Sequence, residues 1–234
     1  MKPIKMSVVI PCYNEGETIP LLLKRYATAL EKRDDIEIII VNDGSKDFTY
    51  EVLEKEKGTY PFLKILHIKQ NAGYGNAIFS GLKESQGEFV GWTHGDLQTP
   101  PEDTLRALHI LEEAKSKNLF VKGRRMQRPF TDSVFTFGMS IFESLLFGYL
   151  LYDINAQPNI FPRTFLSKLD NPPKDFSFDL YVLLVAKRSG MKVMRFPVFF
   201  GERYAGISSW NISWKSKYEF IKRTILFSLS LRRS

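Results

Sequence analysis

The chain has 234 residues, 44% of them hydrophobic, which suffices for one domain with a sizeable core and argues against two full ones. Its formal charge of +7 points to an anionic partner, whether a phosphorylated ligand, an anionic lipid surface or a nucleic acid. Cys12 is the only cysteine, which excludes an internal disulfide and suits a reducing compartment. The apolar run after Lys2 and Lys5 is short and broken by Pro11, so no signal peptide is expected and the protein is read as facing the cytosol.

Met6 to Ile10 reads as a buried strand ending in Pro11-Cys12-Tyr13-Asn14-Glu15. Thr18 and Pro20 open a helix with Leu21, Leu22, Tyr26 and Leu30 at helical spacing. A second strand, Ile36 to Val41, ends in Asn42-Asp43-Gly44-Ser45-Lys46-Asp47 and precedes a short helix near Phe48 to Lys57. Leu63 to Ile68 is a third strand, followed by Asn71-Ala72-Gly73-Tyr74-Gly75-Asn76-Ala77 and a helix to about Ser85. The fourth, with Phe89, Val90 and Trp92, stops at His94-Gly95-Asp96-Leu97-Gln98 before a Pro-Pro helix start that runs to about Lys117. Leu119 to Lys122 then leads into Gly123-Arg124-Arg125-Met126-Gln127-Arg128-Pro129. Regular strand-helix alternation predicts a parallel, right-handed α/β sheet. Glu15, Asp43 and Asp96 each follow a strand, so all three face one edge, where they repel unless a cation or a ligand's donors intervene.

At the carboxyl end of a central strand, where open α/β sheets bind ligands, Asp96 and Gln98 offer oxygen ligands suited to Mg²⁺ or Mn²⁺ on a diphosphate. The plainer reading is a turn at Asp96 that caps the helix starting at Pro100 or Pro101. Gly73-x-Gly75 opens a helix after a strand as in a dinucleotide fold, but Ile78 stands where a third glycine belongs. That leaves a nicotinamide-dependent oxidoreductase, or simply a tight turn, as alternatives. The three arginines after the fifth strand read as a phosphate clamp or as a solvated loop.

Val134 to Tyr152 carries only Glu143 as a charge and is long enough for a membrane span. Crossing would part the arginines from the acidic rim, so one or two helices lying in the interface or packed on the sheet are expected. Asp153 to Asn159 is a polar turn, and Ile160 to Arg163 a short edge strand. Phe176 to Ser189 is a helix with Asp179 in its first turn, favourable to the helix dipole. Met191 to Phe200 alternates as a strand with Pro197 at an edge position, and a glycine-containing loop with Arg203 follows. In the last stretch, Trp214, Tyr218, Ile221 and Ile225 share one helical face against Lys215, Lys217, Lys222, Arg223, Arg232 and Arg233. This fits either attachment to an anionic membrane or a docked helix with a solvated basic face.

Five segments together resemble family 2 glycosyltransferases: Pro11 to Glu15, Val41 to Asp47, Asn71 to Ala77, Gly95 to Pro101, and Glu202-Arg203 with Gly206 and Ser208. The likeness is to the dolichol-phosphate mannose synthase and polyprenyl-phosphate glycosyltransferase branch and covers nearly the whole chain. It implies a GT-A fold, a mostly parallel central sheet flanked by helices over residues 1–212, with a basic amphipathic C-terminal helix over 213–234. It implies further that Pro11, Tyr13, Glu15, Asp43, Asn71 and Gly75 bind the nucleotide, Asp43 reading the base edge. Asp96 and Gln98 would hold Mg²⁺ or Mn²⁺, and Arg125 and Arg203 would face the phosphates.

The implied activity is inverting transfer from a UDP- or GDP-sugar to a lipid-linked acceptor such as polyprenyl phosphate, in cell-surface glycan or glycolipid synthesis. It would take place at the cytosolic membrane face, through peripheral contact and with no nucleic-acid partner. A saccharide hydroxyl acceptor would need a base, for which Asp179 is nominated; a non-catalytic nucleotide-sugar or membrane-binding module is a further alternative. Family members usually carry aspartate where His94 stands, and an imidazole there suits Mn²⁺ better than Mg²⁺. The lysine that often follows the serine of the C-terminal loop is replaced by Ser209-Trp210.

Overall fold

Strands β1 (Met6–Cys12), β2 (Ile36–Asp43) and β4 (Phe89–Trp92) are buried nearly throughout, as apolar runs covered on both faces must be. The structure is a computed structural model that describes residues 2–114, 116, 118–126, 130–201 and 214–233, excepting the side chains of 130–137, 214–221, 223 and 233. It divides into two units, Met1–Met126 with Asn155–Tyr204, and Gln127–Ile154 with Ala205–Ser234.

The first unit is an α/β layer structure. With β3 (Leu63–Ile68), β5 (Leu119–Met126), β6 (Asn159–Pro162) and β7 (Lys192–Phe199), the strands form one seven-stranded sheet ordered β3-β2-β1-β4-β6-β5-β7. All pairings are parallel except those of β6, which runs against both β4 and β5. β6 was expected at an edge and lies inside instead. Ile160 and Phe161 are fully buried, and neighbours on both sides absorb its backbone hydrogen bonds. Pro197 does fall on an edge strand, since β7 pairs only with β5.

Alternation divides the core. Val8, Ile10, Ile38 and Ile40 join Leu22, Leu23 and Tyr26 of α1 (Ile19–Ala29) and Leu108 and Leu111 of α4 (Pro101–Ala114) in one apolar cluster. On the opposite face α3 (Tyr74–Lys83) lies against β1 and β2, while α6 (Phe178–Arg188) packs on β7 and α3. The short α2 (Thr49–Glu56) follows β2. Because β4 and β5 both oppose β6, the carboxyl ends of β1, β2, β4, β5 and β7 share one edge with the start of β6.

The second unit contains a helix pair, α5 (Phe130–Phe147) and α7 (Trp214–Arg233). The long apolar segment is thus one helix, ended by Gly148 in the left-handed region at φ 72°. Glu143 is fully buried on it; its Oε1 accepts a 2.7 Å hydrogen bond from Ser228 Oγ of α7, and its Oε2 has no hydrogen-bond partner among the described residues. Burial pushes this carboxyl up to about 7, against the smaller opposing effect of the Ser228 bond.

A carboxyl that holds its proton more tightly when folded stabilises fully below its unfolded pKa, and that contribution is lost as pH rises through the folded one. The thermal midpoint should therefore fall between about pH 5 and about pH 8. Glu143→Gln keeps the acceptor for Ser228 and removes the charge, so it should raise the midpoint at the upper pH and leave it nearly unchanged at the lower. Equal shifts at both pH values would exclude this account.

Candidate functional site

The shared carboxyl edge gathers most of the predicted site residues, though several have structural work there. At the end of β1, Pro11 is half-buried, Tyr13 is exposed, and Glu15 Oε2 accepts a 2.7 Å bond from Thr18 Oγ1 at the start of α1. The loop after β1 is stitched to the loop after β2. Asn14 N–H donates to Ser45 Oγ and Lys46 N–H to Asn14 Oδ1, Glu15 N–H reaches Thr49 Oγ1, and Gly16 N–H reaches Asp47 Oδ2. Asp47 thereby ties the two loops and also accepts Thr49 N–H at the start of α2.

Asp43, buried at the end of β2, accepts Ala72 N–H and Gly73 N–H at 2.9 Å on its two oxygens. Nearby, Asn76 N–H donates to Lys174 O. The amides around the start of α3 thus have protein acceptors, where a dinucleotide fold would leave them for pyrophosphate. Gly73, at φ 100°, and Gly75 let this helix start lie against the 173–175 segment; a Cβ on Gly75 would stand 2.3 Å from Pro173 O. Asn71 is exposed at the same loop.

Beyond β4, Asp96 is buried and its Oδ1 accepts Gln98 N–H at 3.2 Å, which makes the expected side-chain turn. Leu97 between them is left-handed at φ 62°. Gln98 is then joined to Gly201 by two bonds, Gly201 N–H to Gln98 O at 2.9 Å and Gln98 Nε2 to Gly201 O at 3.1 Å. The preceding residue, Phe200, makes a T-shaped contact with the His94 ring at 6.0 Å between centroids and carries the Arg125 guanidinium carbon 3.9 Å over its own centroid. Arg125 Nη2 also donates to Asn155 O at 3.0 Å. His94, Asp96, Gln98 and Arg125 therefore converge around Phe200 and Gly201. Arg203 and Arg128 lie outside the described residues.

Asp179 sits deeper. It is 3% exposed and accepts Trp92 Nε1 at 3.3 Å and Asn159 Nδ2 at 3.4 Å. Burial pushes it up to about 6, with Lys122 and hydrogen bonds from Tyr74 and Trp92 opposing. Lys122, Asn159 and Phe200 carry no assignment from sequence reasoning; the one available signal was a lysine at the end of the apolar run Leu119-Phe120-Val121.

Residues 7–160 match the family described as glycosyl transferase family 2. The chain belongs to that family. An undecaprenyl-phosphate 4-deoxy-4-formamido-L-arabinose transferase of Pseudomonas syringae pv. syringae (strain B728a) is 38% identical over 115 residues, which are 47% of this chain and 34% of the relative. Its Yersinia pestis counterpart is 40% identical over 116 residues, 48% and 35% of the respective chains. The match thus spans about a third of the length of these relatives.

Among solved structures, mannosyltransferase PcManGT from Pyrobaculum calidifontis in complex with GDP-Man and Mn²⁺ superposes with a TM-score of 0.70 at 19% identity, over 98% of this chain and 67% of that one. Glucosyl-3-phosphoglycerate synthase from Mycobacterium tuberculosis, in complex with Mn²⁺, UDP and glucosyl-3-phosphoglycerate, gives 0.73 at 16% identity, over 98% and 80%. The expected GT-A fold is borne out, and family membership displaces the oxidoreductase alternative.

The family's divalent cation can be tested against the side chains present. No three His, Cys, Asp or Glu residues form a metal-binding group among the described residues. A carboxylate, an amide and an imidazole on one short turn nevertheless fit a cation that takes its remaining ligands from substrate phosphates and water. Asp43→Asn turns an amide donor toward a backbone N–H and should cost about 1–3 kcal/mol of ligand-free stability in urea unfolding. Unchanged unfolding would confine Asp43 to a role in nucleotide binding.

Proposed function

We propose that this family 2 glycosyltransferase moves a sugar from a UDP- or GDP-sugar to a lipid-linked phosphate acceptor, with inversion at the anomeric carbon. The observation that carries this reading is the convergence of Asp96, Gln98 and Arg125 on the Phe200–Gly201 turn at the ligand edge of the sheet. Asp96 and Gln98 would hold Mg²⁺ or Mn²⁺, with His94 adjacent; the bound cation supplies positive charge that offsets charge growing on the leaving diphosphate. Arg125, held by Phe200 and by Asn155 O, offers the diphosphate its remaining in-plane donors. Pro11, Tyr13, Glu15 and Asn71 border the place for the nucleoside, and Arg203 is assigned to the phosphates by resemblance.

The setting of Asp179 favours a phosphate acceptor over a saccharide hydroxyl. A lipid phosphate is already anionic and needs orientation rather than deprotonation, whereas a base must be reachable by the hydroxyl it serves. Asp179 is buried and occupied by Trp92 and Asn159. The relatives named as undecaprenyl-phosphate transferases support the same choice.

Peripheral contact with the cytosolic membrane face belongs to this reading. No helix among the described residues is long and apolar enough to cross a membrane. The second unit instead exposes Ile141, Leu145, Tyr149 and Leu150 around the end of α5, Leu145 by 81%, together with Leu226, Leu229, Lys222 and Arg232 on α7. Apolar side chains with cations alongside suit an anionic interface.

A thermal-shift panel of nucleotide sugars with and without Mn²⁺ tests the donor reading. A ligand at a hundred times its Kd stabilises by about 2.7 kcal/mol, several degrees in a chain of this size. One UDP- or GDP-sugar should give that shift with Mn²⁺, and Asp96→Asn should abolish both the metal-dependent part and transfer while leaving the ligand-free midpoint in place. Retained transfer would remove Asp96 from the mechanism. For the membrane, Leu145→Glu with Leu150→Glu should abolish co-flotation with vesicles of anionic phospholipid; undiminished flotation would place the contact elsewhere.

A further inference from the structure

Lys122 is fully buried in β5, where its ammonium donates to Ala156 O at 2.5 Å and to Asn159 Oδ1 at 2.7 Å. The same Asn159 amide turns its Nδ2 toward Asp179, so one side chain bridges a buried cation and a buried carboxylate. The far end of the turn is also anchored, by Gln157 Nε2 on the Tyr74 hydroxyl at 2.5 Å. Stability alone is a poor explanation for such a device. Desolvating an ammonium costs several kcal/mol, and a well-packed apolar side chain in place of a buried pair is often neutral or stabilising.

What the network does hold is the 155–157 turn. Gly123 N–H donates to Pro158 O, and a Cβ on Gly123 would stand 2.1 Å from Gln157 O, so the turn lies directly on β5 with no side chain between. Two cations three residues apart on β5 then grip consecutive carbonyls of this turn: Lys122 takes Ala156 O from inside, and Arg125 takes Asn155 O at the rim.

We propose that Lys122 is a positioning residue for Arg125, fixing the 155–157 turn so that Asn155 O holds the guanidinium in one plane over Phe200 for the donor diphosphate. This rests on the reading of Arg125 as a diphosphate ligand. Asp179, in turn, compensates the Lys122 charge. The residue nominated from sequence as a base becomes a counter-ion two steps removed from the reacting groups.

Two measurements on the full chain separate this proposal from the functional reading beneath it. The first needs no ligand. In ¹⁵N spectra of arginine side chains, the Arg125 Nε–H should give a distinct, ordered signal in the native protein and collapse to the averaged position in Lys122→Met; an Arg125 signal that stays ordered overturns the proposal. The second is calorimetric binding of UDP, GDP and their monophosphates. Lys122→Met should weaken the bound diphosphate about tenfold and spare the monophosphate. In an Arg125→Ala background the same change should add no more than about twofold. Equal losses for mono- and diphosphate, or full additivity of the two substitutions, also overturn it. If the native chain binds no nucleoside diphosphate while the Arg125 signal still collapses in Lys122→Met, the donor reading fails and the positioning contact stands. Should Lys122→Met not fold, Lys122→Met with Asp179→Asn leaves no unpaired buried charge and is read by the same two measurements.

Discussion

Two hydrogen bonds between Gln98 and Gly201 join parts of the chain a hundred residues apart, and the arrangement of the site depends on them. On one side stands the turn with Asp96, held by its own side chain and by a left-handed Leu97; on the other, the exit of β7 with Phe200. Without that clasp the carboxylate after β4 would sit on a loop independent of Arg125, which β5 already holds beside the exit of β7. With it, Phe200 becomes a wall shared by His94, in a T-shaped contact, and by Arg125, which lies over the ring.

The sheet was largely readable from sequence because its strands are apolar runs ended by polar turns, and its carboxyl edge follows from parallel pairing. β6 escaped because four residues carry no periodicity that distinguishes edge from interior, and nothing local records that a strand runs backwards. Asp96 and Gln98 stand out as candidates for a similar reason, since they follow a strand; Arg125 reads as loop after Lys122 but lies within β5, which continues to Met126 in pairing with β7. The stitching roles of Asn14, Asp43 and Asp47 were not legible, since an aspartate after a strand looks the same whether it meets a ligand or the next loop's N–H groups. Lys122 was hidden most completely, because its partners Ala156 and Asn159 lie more than thirty residues away.

Charge is distributed by depth. Near the rim Arg125 is within reach of water, while beneath it Lys122 and Asp179 are shut off from solvent and must answer each other. The two layers meet at the turn before β6, whose backbone carbonyls serve both. On the proposed reading the acceptor is already ionised and needs no mobile base, so a buried carboxylate can be committed to the scaffold.

A guanidinium whose central carbon lies 3.9 Å over an aromatic centroid is closed to ligands on the side of the ring, and its hydrogen bonds leave only along its own plane. Whatever anion Arg125 receives must therefore arrive sideways, along a narrow fan of directions, while one descending from above meets only the π-like face of the cation. Backed by the ring in this way, the residue acts as a directional filter, and a lysine of the same charge, whose ammonium donates in all directions, would attract the anion without orienting it.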